Sequence, residues 1–139
     1  MRAVTIFFGN KDGDGFVSET REVAVAGAFE DQVKLVIAEL IKGSNDSNKI
    51  SAIPQGTELM QVFWVEDSQT LLLDFNRAIS MNHPGGSAGE YYTITNIIKT
   101  VSANFPQVAK VHFLIEGRAI ESIAGHYAVD KAIDVKKWR

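Results

Sequence analysis

The chain has 139 residues, of which 45% are hydrophobic and 22% are charged, and its formal net charge is -3. A chain of this length accommodates one hydrophobic core, and the weak acidic balance argues against a surface built to attract nucleic acid or anionic lipid. The absence of cysteine excludes disulfides and thiolate metal sites, and no apolar run approaches the ~20 residues that a membrane-spanning helix needs.

Two strands joined by a glycine-rich turn are the first predicted elements. Residues 4–8 are rich in strand formers, and residues 16–25 form the predicted returning strand. The turn at 10–15 begins like a calcium-binding loop, with oxygen-bearing side chains at alternate positions before a glycine. Such loops end in a bidentate glutamate, but the corresponding residue here is Arg21, so an ordinary turn is the favoured interpretation.

A helix is predicted next, over about residues 28–42. Glu30 and Asp31 suit the positive end of this helix, and Gly43 offers a stop before a polar loop at 43–48. Apolar residues recur at the spacing of one helical stripe, namely Phe29, Val33, Val36, Ile37, Leu40 and Ile41.

A hairpin is predicted from two apolar runs, at 59–65 and 70–75, which four polar residues separate. Because successive side chains of a strand project to opposite faces, Met60, Val62 and Trp64 are expected to share one face, and Phe63 lies on the other. Large apolar side chains therefore occupy both faces, which predicts a hairpin that is central in a sheet or covers an interface. The candidate interaction surface consists of Met60, Phe63 and Trp64.

A second helix is predicted to begin at Ser87, because Ser87 and Glu90 match the capping box in which serine and glutamate side chains satisfy first-turn amides. Pro106 ends it. The apolar stripe of this helix consists of Ile94, Ile97, Ile98, Val101 and Phe105. Residues 110–115 form a further predicted strand, and a possible last strand lies near 119–123.

This order of elements predicts an α+β domain in which two helices pack on one face of a mixed or largely antiparallel sheet. Its core is βαββαβ-like and is preceded by an N-terminal strand. Residues 1–139 form a single predicted domain, with a core at about 3–130 and a C-terminal tail at 131–139. The basic end of that tail, residues 136–139, is interpreted as a solvated chain end.

The glycine-rich segment before the second helix has features of a catalytic or ligand site. Gly85, Ser87 and Gly89 match the pattern of a hydrolase nucleophile elbow, but His83-Pro84 stands where a buried strand is required, and the capping box already accounts for Ser87. A glycine-rich helix start can also hold a small anion, although a structural cap is favoured. The possible ligand loop consists of Gly85, Gly86, Ser87 and His126.

The remaining chemistry-bearing residues predict no reaction. His83, His112 and His126 are far apart and lack metal-ligand spacing, so neither a metal site nor a cofactor is predicted. Tyr91 and Tyr92 are interpreted as packing and surface residues, because no basic groove accompanies them, and no nucleic-acid partner is expected. No catalytic residue is assigned.

Four blocks in order resemble the GerMN domain of bacterial sporulation and spore-germination proteins. They are residues 51–57 (Ser-Ala-Ile-Pro-Gln-Gly-Thr), the hairpin 59–75, the passage 95–117 through Asn104-Phe105-Pro106, and Gly125-His126. The resemblance covers roughly residues 4–130. Asp67-Ser68 departs from the aspartate-glycine often found at the hairpin turn of the family.

The resemblance implies a non-enzymatic extracytoplasmic domain, anchored to the membrane in the full-length protein by a segment absent from this chain. Two hypotheses follow for its role. In the first, the domain docks an envelope protein through the hairpin, and this surface is excluded if Met60, Phe63 and Trp64 are all buried. In the second, the domain binds a peptidoglycan fragment or a small anion, and a pocket formed between the 82–90 loop and His126 would support it. The partner and the oligomeric state are not specified by the sequence.

Overall fold

The computed structural model describes residues 1–138. Its strands are β1 (Arg2–Asn10), β2 (Phe16–Val23), β3 (Lys49–Ile50), β4 (Leu59–Val65), β5 (Thr70–Phe75), β6 (Lys110–Ile115), β7 (Arg118–Ala119) and β8 (Ile133–Asp134). Its helices are α1 (Phe29–Lys42), the short α2 (Ala78–Met81) and α3 (Ser87–Asn104), and a 3₁₀ turn spans Val135–Lys137. No helix in residues 1–138 is both long enough and apolar enough to cross a bilayer.

The strands form two sheets. The first has the order β2-β1-β3 and is antiparallel, and the second has the order β4-β5-β6-β7, with β8 also paired to β6. Within the second sheet, β5 and β6 run parallel and the other pairs are antiparallel. The predicted α+β class with mixed strand pairing is therefore confirmed, and its strands divide between two sheets rather than forming one.

Helix α3 lies along β1 where a neighbouring strand would otherwise pair. The Thr5 amide donates to Asn104 Oδ1 at 2.9 Å, and Asn104 Nδ2 donates back to the Thr5 carbonyl at 2.7 Å. One helical turn earlier, Thr100 Oγ1 accepts from the Phe7 amide at 3.1 Å. These side chains stand four residues apart and so share one helical face, where they satisfy backbone groups that β3 is too short to reach. The first sheet therefore ends at α3.

The hydrophobic core lies between the sheets and the two long helices. The predicted stripe of α1 is buried, with Val33, Val36, Ile37 and Leu40 all 0% exposed. The α3 stripe and the inner faces of β1, β5 and β6 complete this core, including Ile6, Phe8, Leu71, Leu73, Phe75, Ile94, Ile97 and Phe113. Burying each such side chain contributes about 1.5–3 kcal/mol before the entropy of ordering the chain is subtracted.

Arg21 holds the C-terminal end of α1. Its guanidinium donates to the Glu39 carbonyl at 2.8 Å and to the Gly43 carbonyl at 2.5 Å, and it also binds the Glu19 carboxylate at 2.6 Å. Hydrogen bonds from Ser44 and then from Arg21 lower the pKa of Glu19 to about 2. The carbonyls that end a helix lack partners within it, so this side chain of β2 replaces the missing partners.

The C-terminal part of the chain differs from its prediction. The predicted last strand at 119–123 is wrong, because β7 covers only Arg118–Ala119 and the last strand of the described residues is β8, which also pairs with β6. The described part of the predicted tail packs on the domain, although the side chains of Lys136 and Lys137 are exposed to solvent as predicted. Val135 is 3% exposed, and the Trp138 ring stacks on Tyr91 with 5.6 Å between centroids. The packed domain therefore continues to Trp138, and Arg139 lies outside the described residues.

Candidate functional site

The predicted interaction hairpin is divided by a β-bulge. Leu59 pairs with Phe75 and Gln61 pairs with Asp74, so Met60 is an extra residue on β4. The prediction that Met60 shares a face with Trp64 is wrong for this reason. Trp64 is partly buried against the core and packs edge-on against Phe29, with ring centroids 5.0 Å apart, whereas Met60 is 48% exposed.

Three apolar side chains remain exposed on β4, and we call them the β4 surface: Met60, Phe63 and Val65. They are 48%, 47% and 45% exposed, so the condition that would have excluded the hairpin as a docking surface is not met. β4 is the outer strand of its sheet and pairs with β5 alone among the described residues. It therefore offers an apolar row together with backbone groups that another strand can pair with.

The predicted capping box at the start of α3 is wrong. Gly86 occupies the N-cap position and supplies no side-chain cap, and Ser87 is the first helical residue. Glu90 turns away from the helix start, where its Oε1 accepts from the His126 amide at 2.9 Å. The sequence motif is present, but the carboxylate has stronger partners in a loop that is distant along the chain.

Glu90 is the most completely enclosed carboxylate in the described structure, at 0% exposed. Besides the His126 amide, its oxygens accept from His126 Nδ1 at 3.2 Å and from the Tyr127 amide at 3.3 Å. Burial alone raises the pKa of Glu90, but hydrogen bonds from the backbone at Ala124, His126 and Tyr127 outweigh it, and the pKa is lowered. The ionised carboxylate thus fixes the loop at 124–127 to α3.

His83 fixes the segment before α3 in a similar way. The Gly85 amide donates to His83 Nδ1 at 2.9 Å, so Nδ1 is unprotonated and Nε2 carries the proton. Nε2 lies 2.9 Å from Thr93 Oγ1, which in turn donates to the Ala52 carbonyl at 2.7 Å. Burial lowers the pKa of His83 and favours this neutral state.

His112 is separate from the other two histidines, whereas Glu90 and His126 both act electrostatically on His83. His112 lies on β6, with Nε2 3.1 Å from the Asp130 carbonyl, and His126 is bound to Glu90. Among residues 1–138, no three histidine or acidic side chains are grouped to hold a metal ion.

The turn at 10–15 is closed by its own side chains. Asn10 Nδ2 donates to Asp14 Oδ1 at 2.6 Å, and the Asp14 amide donates to Asn10 Oδ1 at 3.1 Å. These two side chains, which resembled calcium ligands in the sequence, are hydrogen-bonded to each other. The ordinary turn is what the structure contains, with the Asn10 amide bonded to the Gly15 carbonyl at 3.0 Å.

Two cavities adjoin at this turn, and we call them together the Tyr92 groove. The first, of about 320 Å³, is lined by Gly9, Asn10, Lys11, Gly13, Ile50, Ser51, Ala52, His83, Pro84, Gly89 and Tyr92. The second, of about 550 Å³, is lined by Gly13, Asp14, Gly15, Phe16, Ser87, Ala88, Tyr91, Tyr92 and Tyr127. Gly13 and Tyr92 line both.

The predicted ligand loop is only partly brought together. Ser87 lines the second cavity, whereas Gly85, Gly86 and His126 line neither. The prediction missed the aromatic residues of the groove, because Phe16, Tyr92 and Tyr127 come from three separate parts of the chain and only folding unites them. No spacing in the sequence signals such a cluster.

A family model described as "Germane: Sporulation and spore germination" matches residues 5–121. The chain belongs to this family. The resemblance that the sequence motifs indicated is therefore confirmed. No curated protein matches significantly.

Three solved structures share the fold. The first GerMN domain of the sporulation protein GerM from Bacillus subtilis superposes with a TM-score of 0.75 at 15% identity, covering 98% of this chain and 99% of that domain. The tandem GerMN domains of GerM give 0.72 at 17% identity, over 96% of this chain and 45% of that chain. A predicted lipoprotein from Clostridium perfringens gives 0.69 at 21% identity, over 98% and 89%.

Proposed function

We propose that this Germane-family chain is a non-enzymatic extracytoplasmic interaction domain that docks an envelope protein on its β4 surface. The observation that carries the proposal is the set of three half-exposed apolar side chains on an outer strand. Completing the burial of one such side chain contributes about 1 kcal/mol, roughly half the value for full burial. A partner that covers all three also gains strand pairing along β4.

The proposed compartment is supported by the description of the family and by one structural relative. The family is described by sporulation and spore germination, and one structural relative is a predicted lipoprotein. We therefore propose that the domain lies outside the cytoplasmic membrane and that the full-length protein carries a membrane anchor.

The non-enzymatic proposal is supported by the structural hydrogen bonds of the polar side chains near the start of α3. His83 bonds Gly85 and Thr93, and the Glu90 carboxylate is enclosed by the 124–127 loop. A nucleophile needs a base within hydrogen-bond reach, and the rings of His83 and His126 are committed to other groups than Ser87.

The test uses a photo-crosslinking amino acid in place of Phe63, with a matched probe in place of Met81, which is 75% exposed on α2. Both proteins are expressed in the native bacterium, and a protein crosslinked through position 63 but not through 81 is purified. Its affinity is then measured for the wild type, for Met60→Ser with Phe63→Ser, and for Met81→Ser. We expect the double variant to bind at least about tenfold more weakly, a loss of about 1.4 kcal/mol, with Met81→Ser unchanged. Equal affinity of all three proteins contradicts the proposal.

A second candidate function is the binding of a small ligand, as the sequence hypothesis of a peptidoglycan fragment or anion foresees. The Tyr92 groove favours it, because cavities of about 300–1,000 Å³ with aromatic walls are typical of ligand sites. The anion version has less support, because the groove carries both a lysine and an aspartate.

A further inference from the structure

The Tyr92 groove is built around one close backbone contact. A Cβ atom added at Gly9 would lie 3.0 Å from two ring carbons of Tyr92, so the ring packs directly against the backbone of β1. A larger residue at position 9 would require the Tyr92 ring to shift by a few tenths of an ångström. This contact fixes Tyr92 between the two cavities. The turn at 10–15 lies on one side of the groove and the start of α3 on the other.

The aromatic residues of the second cavity support one another. Phe16 lies 5.0 Å from Tyr92 and 6.2 Å from Tyr91 between ring centroids, and Tyr91 lies 6.2 Å from Tyr127. Trp138 packs behind Tyr91 and Tyr127, at 5.6 and 5.5 Å. Mutual packing fixes the rotamers before a ligand arrives, which lowers the entropy lost on binding.

The lining combines apolar faces with neutral polar groups. Tyrosine rings offer a flat apolar face and a hydroxyl that both donates and accepts, and the first cavity adds Ile50, Ala52 and Pro84. The charged residues are Lys11 in one cavity and Asp14 in the other, which gives the groove no net charge. A complementary ligand is neutral, has apolar faces that stack on aromatic rings, and carries hydroxyl or amide groups at its edges.

Pyranose sugars have this chemistry, because the axial C–H groups of the ring form an apolar face and the hydroxyls point outward. We propose that the Tyr92 groove binds a neutral oligosaccharide, with one sugar ring in each cavity and Tyr92 between them. The inference deepens the second candidate function by naming its ligand class, and it does not depend on the β4 surface, with which the groove shares no residue.

Other ligand classes fit less well. A nucleic-acid strand needs a basic groove beside the aromatic rings, and Lys11 is accompanied by no second basic residue in the lining. A peptide bound as an added strand needs an open sheet edge. The two sides of this groove are instead the hydrogen-bonded turn at 10–15 and the start of α3.

The experiment titrates the ¹⁵N-labelled protein with two neutral probes, chitotetraose and cellotetraose, up to about 10 mM, where even binding with a Kd of about 1 mM is visible. We expect at least one probe to shift the amides of residues 9–16, 87–92 and 127. Tyr127→Ala removes a side chain that lines the second cavity, and Ser87→Trp fills part of that cavity. Each variant should weaken binding at least about tenfold. Tyr92→Phe keeps the ring and should bind within about threefold of the wild type.

The control is Phe63→Ser, which alters the β4 surface alone and should bind the saccharide like the wild type. Folding of each variant is checked by its own amide spectrum, and Ser87→Trp removes no buried side chain because Ser87 is exposed. The inference is overturned if neither probe shifts the spectrum, or if Tyr127→Ala and Ser87→Trp bind like the wild type. Loss of protein docking in Phe63→Ser without loss of saccharide binding, and loss of saccharide binding in Tyr127→Ala without loss of docking, separate the two functions.

Discussion

Replacement of Glu90 by glutamine tests how the loop at 124–127 is held. The substitution keeps the size of the side chain but removes its charge, and it turns one acceptor oxygen into a donor. Because Glu90 is 0% exposed and both of its oxygens accept from backbone amides, the new NH₂ group must face a buried N–H. Hydrogen bonds to a buried charge are worth about 1.5–3 kcal/mol, so we expect a loss of about 2–3 kcal/mol in the free energy of unfolding.

Urea unfolding of the wild type and Glu90→Gln at about pH 7 measures this loss, and the melting temperature should fall by roughly 6–12 °C for a chain of this size. The matched control is Glu22→Gln, at an exposed position on β2. We expect that control to change the free energy of unfolding by less than about 0.5 kcal/mol.

The pH dependence provides the second part of the test. The pKa of Glu90 is lowered in the folded protein from an ordinary value of 4.5, so its stabilising effect is complete above that pH and is lost as pH falls through the lower folded value. The difference between wild type and Glu90→Gln should therefore be largest near neutrality and shrink in acid. An equal effect of Glu90→Gln and Glu22→Gln, or a difference that grows below pH 4.5, would refute the reasoning.

Three further substitutions probe the supports of the fold. Arg21→Met removes the cation that binds the carbonyls ending α1 and should cost about 1–3 kcal/mol in urea unfolding, whereas Arg118→Met, at an exposed position, should cost little. Asn104→Ala leaves an amide and a carbonyl of β1 without their partners and should cost about 2–3 kcal/mol, and wild-type stability would contradict the proposed pairing of α3 with β1. Gly9→Ala should cost about 1–3 kcal/mol by crowding Tyr92, and most of that cost should vanish in the background of Tyr92→Ala. Strictly additive effects of the last pair would show that the two residues are not in contact.

The elements that could be predicted from the sequence are those whose signals are local. The stripe of α1 and the two runs of the hairpin specify their periodicity within a few residues, and both occur where predicted. The division into two sheets could not be predicted in the same way. It depends on hydrogen bonds from β1 to Thr100 and Asn104, which lie about a hundred residues away in the sequence. The bulge at Met60 was also missed, because no turn residue in the sequence indicates it.

The start of α3 shows why a correct motif can predict a wrong contact. Ser87 and Glu90 have the spacing of a capping box, and an exposed helix start would use it. In this fold the loop at 124–127 brings two amides and the His126 ring to the carboxylate, and several donors in a buried site outcompete the single amide of the N-cap residue. The residues that satisfy Glu90 lie more than thirty positions away, so the local sequence holds no information about them.

The same contact connects stability with the proposed groove. Tyr127 lines the second cavity and stands in the loop whose amides Glu90 binds, so the carboxylate positions a groove residue without lining the groove itself. Glu90→Gln should therefore weaken saccharide binding at a temperature where the variant is still fully folded, while Arg21→Met, destabilised by a similar amount at α1, should bind like the wild type. The amide shifts of residues 124–127 on substitution report the displacement directly. If both variants lose binding equally, global stability rather than the position of Tyr127 controls the groove, and Glu90 has no specific role in it.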